Sequence, residues 1–187
     1  QANADQYIYN DTVNVWQYCD NIVIETRPYA YNGTEWLYSP SILINLPVEK
    51  NNAEVSAFYQ AITDWVKENH SEYVTSYGNN DYYYGGSAYQ NNFDFRVSAW
   101  QGQGTYDGMS SDEITALMWE RLPEAFPHAL EVLYADAPPA DNGVDVIYTI
   151  NFGIYDGSST TTYTIQYKVI GKGKFEYVED SLQKAAV

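Results

Sequence analysis

A run of alternating apolar residues near the C-terminus constrains the fold of this chain more than any other feature. In residues 144–155 apolar side chains fall at every second position, which places them on one face of a β-strand. Asp156-Gly157 follows and is typical of a two-residue type I′ turn, because both residues must take positive φ there. Residues 158–170 then alternate again. The pattern predicts an antiparallel β-hairpin.

The predicted hairpin has a defined register. A two-residue loop makes Tyr155 the partner of Ser158, and the apolar faces of the two strands then coincide. A slip by one residue would turn the apolar side chains of one strand to the opposite face. The expected cross-strand pairs are Phe152 with Thr161, Ile150 with Tyr163, and Tyr148 with Ile165.

A second turn, Gly171-Lys172-Gly173, follows the hairpin. A three-residue loop with a glycine bulge would keep the next apolar residues on the shared face, whereas a two-residue loop would reverse them. A third strand, residues 174–178, would then complete a three-stranded meander. Its expected pairs are Val169 with Phe175 and Tyr167 with Tyr177.

Two capping patterns predict helices upstream of the meander. Asn51 with Glu54, and Ser110 with Glu113, match the N-cap residue and the acidic residue three positions later that form a capping box. Apolar residues follow each pair at helical spacing. They are Val55, Phe58, Ile62, Trp65 and Val66 in the first helix, and Ile114, Leu117, Met118 and Leu122 in the second.

The second helix contains two prolines. Pro123 and Pro127 each lack the N–H that an α-helix needs, so they are expected to break or kink it. Leu130 and Leu133 indicate that the helix resumes and reaches about Tyr134.

The strands nearer the N-terminus are less sharply defined. Residues 22–27 and 41–46 are predicted strands joined through a turn at Asn32-Gly33. Residues 7–18 fit either a strand or a short helix. Another strand is predicted from the alternation of Phe93, Phe95, Val97 and Ala99 with polar residues.

The order of these elements predicts an α+β fold. We expect an antiparallel sheet that ends in the three-stranded meander, with two helices packed on one face. The length of 187 residues suits a single domain, residues 1–187, in which residues 1–5 form a flexible start.

The charge of the chain restricts its partners. With 25 acidic and 9 basic residues the formal net charge is −16, which disfavours nucleic acid and anionic membrane surfaces. No apolar run approaches the ~20 residues of a transmembrane helix. The polar start of the chain, which lacks Met, favours an extracytoplasmic protein, either secreted or lipid-anchored at the cell surface.

The most unusual stretch, residues 77–92, combines tyrosines with amides and glycines. Flat rings can pack on the C–H face of a sugar, and Asn, Asp or Gln can bind its hydroxyl groups. The alternative is a surface loop whose tyrosines pack on the loop's own base. The candidate ligand-binding residues are Asn80, Asp81, Tyr82, Tyr83, Tyr84 and Tyr89, with Trp36 and Trp100 as possible extensions of the patch or as half-buried structural residues.

Other site chemistries have weaker signals. Asp141-Asn142-Gly143-Val144-Asp145 and Asn79-Asn80-Asp81 place oxygen ligands for calcium, but neither matches the EF-hand spacing, and an ordinary turn is favoured. His70 is expected at a helix end and His128 at an exposed helix start, without a zinc-binding or general-base pattern. The sequence therefore predicts no metal and no cofactor, with calcium as the open alternative.

The whole chain resembles uncharacterised exported lipoproteins of the Bacteroidetes cell envelope. The resemblance rests on the polar start, the richness in Tyr, Asn and Asp, and the single cysteine, Cys19. Asp11-Thr12-Val13 and Asp180-Ser181-Leu182 look like the short O-glycosylation motif of that envelope. Helices followed by a long meander also look like NTF2 or cystatin-like architectures. The resemblance implies an envelope location and transfers no site residue.

Three functional hypotheses follow. The first is a non-catalytic extracytoplasmic binding module that recognises glycan through the tyrosine-rich loop. The second is a structural or protein-interaction subunit of a cell-surface assembly. The third is a hydrolase with a carboxylate pair in a cleft, although the spacing of the 25 acidic residues does not select which two.

Overall fold

A computed structural model describes residues 7–10, 15–18, 29–31, 33–71, 91–140 and 143–186. It contains two long α-helices, one α-helix of a single turn, a 3-10 turn at Gly104–Tyr106, and ten strands within these ranges. The helices are α1 (Ala53–Asn69), α2 (Val97–Trp100) and α3 (Ser111–Leu133). The strands are β1 (Tyr7–Asn10), β2 (Val15–Tyr18), β3 (Tyr29–Tyr31), β4 (Trp36–Tyr38), β5 (Ser41–Asn45), β6 (Phe93–Asp94), β7 (Ile147–Tyr155), β8 (Thr160–Gly171), β9 (Lys174–Tyr177) and β10 (Gln183–Lys184).

The main sheet confirms the α+β fold and the C-terminal meander. Its strand order is β10-β8-β7-β5, with β6 also beside β7 and β9 also beside β8. Strands β7, β8 and β9 are antiparallel, as predicted, but β5 and β6 both run parallel to β7. The sheet is therefore mixed and mostly antiparallel. Alternation predicts which face a side chain occupies but carries no information about strand direction, which depends on the crossovers between strands.

The first hairpin keeps the predicted face but not the predicted loop. Tyr155 pairs with Thr160 rather than Ser158, so the loop holds four residues, 156–159. A shift of two residues preserves side-chain alternation, and the apolar faces still coincide. Gly157 alone in this loop takes positive φ, at 104°, and the Asp156 carboxylate accepts backbone N–H bonds from Ser158 and Ser159. This Asx turn replaces the predicted type I′ turn.

The second hairpin has the predicted register. Val169 pairs with Phe175 and Tyr167 with Tyr177. Gly171 pairs with Lys174, so the loop itself has two residues and the extra residue is a bulge at Ile170. One bulge residue has the same effect on side-chain alternation as a third loop residue.

Both predicted helices form, with differences at one cap and at the prolines. Helix α1 is capped by the Asn52 side chain, not by Asn51, which takes φ of 59° in the left-handed region. Helix α3 has the predicted capping box between Ser110 and Glu113. It continues through both prolines to Leu133 without the predicted break.

The core lies between the two long helices and one face of the sheet. Phe126 of α3 is fully buried at its centre. Its ring contacts those of Phe58 in α1, Phe93 in β6, and Phe152 and Tyr167 in the sheet, with centroid distances of 4.9–6.0 Å. On the opposite face of the sheet most side chains are polar, and pairs such as Asn45 with Asn151 are hydrogen-bonded across strands, although Leu43 is an exposed apolar residue there. The helices therefore pack on one face, as predicted.

Three predictions for the upstream chain need correction or lie outside the described residues. Residues 93–99 are not one strand, because β6 ends at Asp94 and α2 begins at Val97. Residues 7–18 contain two strands that pair as a hairpin. The turn at Gly33 joins β3 to β4, while the predicted strand at residues 22–27 lies outside the described part of the chain.

The early end of β6 has a local cause. The Asp94 carboxylate accepts hydrogen bonds from the backbone N–H and the guanidinium of Arg96. An Asx turn of this kind draws the chain out of the strand direction.

No helix in the described ranges is both long and apolar enough to cross a bilayer.

Candidate functional site

Strands β3 and β4 form a hairpin that exposes three aromatic side chains. Tyr29 is 55% exposed, Tyr31 is 56% exposed and Trp36 is 67% exposed. Tyr31 is the cross-strand partner of Trp36, and their ring centroids are 5.5 Å apart at an angle of 44°. Tyr29 lies two residues before Tyr31 and therefore on the same face of the strand. We call Tyr29, Tyr31 and Trp36 the aromatic platform.

The hairpin is tied to the edge of the main sheet. After β4 the Ser39 hydroxyl donates to the carbonyl of Asp145 at 3.0 Å, and the Pro40 carbonyl accepts from the N–H of Ile147 at 3.4 Å. These contacts lead the chain directly into β5, which pairs with β7. The platform is therefore carried on a short hairpin that is anchored beside the start of β7.

The turn of the hairpin adds polar groups beside the aromatic rings. Gly33 takes φ of 100°, a conformation in which a side chain would be strained. Thr34 and Glu35 follow it and are both exposed. The turn thus adds a hydroxyl and a carboxylate to the exposed surface of this hairpin.

The structure separates the residues predicted for the ligand site. Trp36 lies on the platform and is exposed. Trp100 is only 2% exposed, and its indole N–H donates to the carbonyl of Asp94 at 3.3 Å. Its ring therefore belongs to the core, and the prediction that it extends a surface patch is wrong. Asn80, Asp81, Tyr82, Tyr83, Tyr84 and Tyr89 lie outside the described residues.

The end of the tyrosine-rich stretch has a structural role. Asn91 is fully buried, accepts a bond from the Ser56 hydroxyl at 3.3 Å, and donates to the carbonyl of Glu49 at 2.8 Å. Asn92 is 4% exposed and its amide donates to the carbonyl of Phe93. These two amides fix the chain beside β6 and are not available to a ligand.

Both histidines pack against one tryptophan. His70 is the C-cap of α1, as predicted, and its ring lies 4.9 Å from that of Trp65. His128 is not at an exposed helix start but inside α3, stacked on Trp65 at 3.7 Å and 8°. Burial lowers the pKa of His128 below its ordinary value, and Glu131 opposes this effect.

The structure offers no assembled metal centre in the ranges that it describes. No three His, Cys, Asp or Glu side chains there lie close enough together to hold an ion. Asn79, Asp81, Asp141 and Asn142, which belong to the two candidate calcium runs, fall outside these ranges. Calcium at either run stays a prediction.

A cleft of about 350 Å³ lies between the β7–β8 loop, α2 and α3. A glycosidase pair requires two carboxyl groups about 5–10 Å apart. Of the described side chains that line the cleft, Asp156 alone is a carboxylate. The cleft therefore gives the hydrolase hypothesis no support.

Sequence reasoning missed Tyr29 and Tyr31. The signal was present, because Tyr29, Tyr31, Trp36 and Tyr38 lie symmetrically about residues 32–35, which begin with Asn32-Gly33, a dipeptide typical of hairpin turns. Placing that turn between more distant strands concealed the pairing. Sequence reasoning also missed the aromatic residues of the cleft, which come together from three separate elements.

The comparisons with known proteins identify no relative. No family model, no curated protein and no solved structure matches this chain.

Proposed function

We propose that this protein is a non-catalytic, extracytoplasmic binding module that recognises glycan through the aromatic platform. The observation that carries the proposal is the exposure of three large aromatic side chains on one pair of strands. Each of them is more than half exposed, although the interior of the protein accommodates many other aromatic rings. Apolar surface held in water costs about 25 cal/mol per Å², so its clustering on one hairpin favours a binding role.

The chemistry of the platform suits a sugar. A pyranose presents a face of C–H groups that packs on an aromatic ring, while its hydroxyl groups need polar partners at the edge. The rings of Tyr31 and Trp36 supply the apolar surface, and Thr34 and Glu35 are exposed polar residues of the same hairpin. Tyrosine adds a hydroxyl to its own ring, so it serves both needs at once.

The tyrosine-rich stretch at residues 82–89 is part of this proposal as a second binding segment.

The extracytoplasmic setting rests on composition. The chain combines a net charge of −16 with few lysines. A charge of this size keeps a protein soluble and repels anionic surfaces. Secretion and lipid anchoring at a cell surface are both compatible with these features.

A protein-interaction role is the second candidate, and the same platform favours it. Trp and Tyr are the residues most enriched at the centres of protein interfaces. In that case the platform would contact another envelope protein. Wild type would capture one specific partner, the platform variant would not capture it, and neither would bind glycan.

A glycan-array screen tests the proposal. The purified protein is applied with calcium and again with EDTA, beside a variant that carries Tyr29→Ala, Tyr31→Ala and Trp36→Ala. Val132→Ala is the matched control, because Val132 is an exposed apolar residue, at 68%, on helix α3. We expect one glycan class to bind wild type and the control but not the platform variant. Absence of binding to any glycan, or equal binding by the platform variant, would contradict the proposal.

A further inference from the structure

The cleft beside the β7–β8 loop has a composition different from that of the platform. Its volume of about 350 Å³ lies within the range of about 300–1,000 Å³ that small-molecule sites occupy. Three aromatic rings line it, from Phe95, Trp119 and Tyr163. Asp156 in the loop supplies a carboxylate, and Ser98 and Thr115 supply hydroxyl groups.

The three aromatic rings form walls rather than a single stack. The ring of Trp119 lies 5.1 Å from Phe95 at 80° and 5.2 Å from Tyr163 at 59°. The rings meet edge to face or tilted, so no two of these three rings are stacked face to face. Trp119 and Tyr163 are only partly buried, so some of their surface faces the opening. The electron-rich faces of Trp and Tyr attract cations.

The Asp156 carboxylate is held in its ionised form. The backbone N–H groups of Ser158 and Ser159 donate to its Oδ1 at 2.8 and 2.9 Å, and the Ser158 hydroxyl does so at 2.9 Å. These bonds lower the pKa of Asp156 to about 2. Its Oδ2 makes only a long contact, at 3.5 Å, with the Ser159 hydroxyl. Thus Oδ1 of Asp156 holds the loop in place, while Oδ2 can still accept a hydrogen bond.

The described part of the chain adds no positive charge to the lining of the cleft. Arg96 is the nearest basic residue along the chain, between the lining residues Phe95 and Val97. Its guanidinium is bound by both carboxylate oxygens of Asp94, and it lies 5.7 Å from the centre of the Tyr155 ring. The guanidinium of Arg96 is therefore paired with an adjacent buried carboxylate.

We infer that this cleft binds an organic ammonium cation, such as a quaternary ammonium head group. Aromatic walls and one carboxylate match such a cation, since methylated ammonium groups are both apolar and charged. The overall charge of −16 further raises the local concentration of cations. An anionic ligand would meet Asp156 without a basic partner, and an inorganic cation would gain little from the apolar walls. The inference is independent of the glycan proposal, because none of the platform residues lines the cleft.

Titration with choline tests the inference, with 3,3-dimethyl-1-butanol as its uncharged isostere. Calorimetry and the emission of the tryptophans follow binding at constant ionic strength, adjusted with NaCl. We expect saturable binding of choline and at least tenfold weaker binding of the alcohol, because the alcohol lacks the charge that cation–π contacts and Asp156 recognise. Equal binding of the two compounds, or no saturation by choline up to tens of millimolar, would overturn the inference.

Variants assign the binding to the cleft. Asp156→Asn removes the charge but keeps an oxygen that can accept the loop's N–H bonds, and it should weaken choline binding roughly tenfold. Glu179→Gln makes the same charge change at an exposed residue outside the cleft and should leave binding unchanged. Trp36→Ala should also bind choline normally, which separates this site from the platform. Equal weakening by Asp156→Asn and Glu179→Gln would show a non-specific charge effect and contradict the assignment.

Discussion

At the scale of single residues, Tyr167 explains how α3 tolerates the second of its two prolines. Pro127 lies four residues after Pro123 and has no N–H to donate to the Pro123 carbonyl. The Tyr167 hydroxyl, which comes from β8, donates to that carbonyl instead. A hydrogen bond from the sheet thus replaces the one that the helix lacks. The sequence shows the prolines but does not show that a side chain 44 residues away satisfies the carbonyl.

Removal of this hydroxyl tests that explanation. Tyr167→Phe leaves the partly buried Pro123 carbonyl without its donor and should lower the free energy of unfolding by about 1 kcal/mol. The control is Tyr177→Phe, which removes a half-buried hydroxyl from the neighbouring strand and should cost less. Urea unfolding followed by circular dichroism measures both. An unchanged midpoint for Tyr167→Phe would mean that another group, such as a water molecule, satisfies Pro123.

His128 gives a second prediction at this scale. Because burial lowers its pKa below the ordinary value of 6.5, the folded protein binds a proton there less readily than the unfolded chain does. Its contribution to stability is therefore fully present above pH 6.5 and declines as the pH falls towards the folded-state pKa. A histidine NMR titration should give a pKa below 6.5. The stability of His128→Gln should change less than that of wild type over the same pH interval.

The outcome of that titration is informative in either direction. A pKa of His128 above 6.5 would contradict the prediction. It would show that stacking of the charged imidazole on Trp65, together with Glu131, outweighs burial.

At the scale of elements, two adjacent asparagines have different roles at the start of α1. Asn52 accepts the N–H of Val55 and caps the helix, whereas Asn51 takes the left-handed backbone conformation. Asn52→Ala should therefore destabilise the protein by about 1 kcal/mol. Asn51→Gly should stay within about 0.5 kcal/mol of wild type, because glycine adopts positive φ without strain. Thermal unfolding of both variants checks the assignment, and the reverse order of stability would show that Asn51 is the cap.

The second hairpin shows how far the sequence determines the elements. Its register was predictable because a two-residue loop without a bulge would have put Phe175 on the solvent face, whereas a third loop residue or a bulge keeps it in the core. For the first hairpin, loops of two and four residues both satisfy alternation. The choice between them depends on Asp156, whose side chain bonds to the backbone of Ser158 and Ser159. Such competition between side chain and backbone is hard to read from a sequence pattern.

The direction of the parallel strands is another feature that the sequence pattern does not predict. Ile44 of β5 pairs in parallel with Ile150, and Phe93 of β6 pairs in parallel with Ile154. Their apolar character predicted strands, but their direction depends on where the intervening segments leave and re-enter the sheet. The ending of β6 at Asp94 depends likewise on a side-chain bond with Arg96. Periodicity alone suggested a longer strand there.

At the scale of the whole molecule, aromatic residues fall into two groups. In the part of the chain that the structure describes, the rings of one group are buried between the sheet and the long helices, and they explain the fold. Tyr29, Tyr31 and Trp36 remain exposed on a hairpin at the edge, and the fold does not explain them. The candidate site was thus only partly predictable. Trp36 was identified, Trp100 proved to be a core residue, and the partners of Trp36 depended on the correct placement of one turn.

The central claim is that Trp36 is exposed to bind a ligand and not to stabilise the fold. Its most direct test is a calorimetric titration of wild type and Trp36→Ala with the glycan that gives the strongest array signal. We predict that the variant loses at least about tenfold in affinity, the effect expected of an aromatic residue at the centre of a binding site, while its melting temperature stays within about 2 °C of wild type. Unchanged affinity, or a loss of affinity that accompanies a large loss of thermal stability, would contradict the claim.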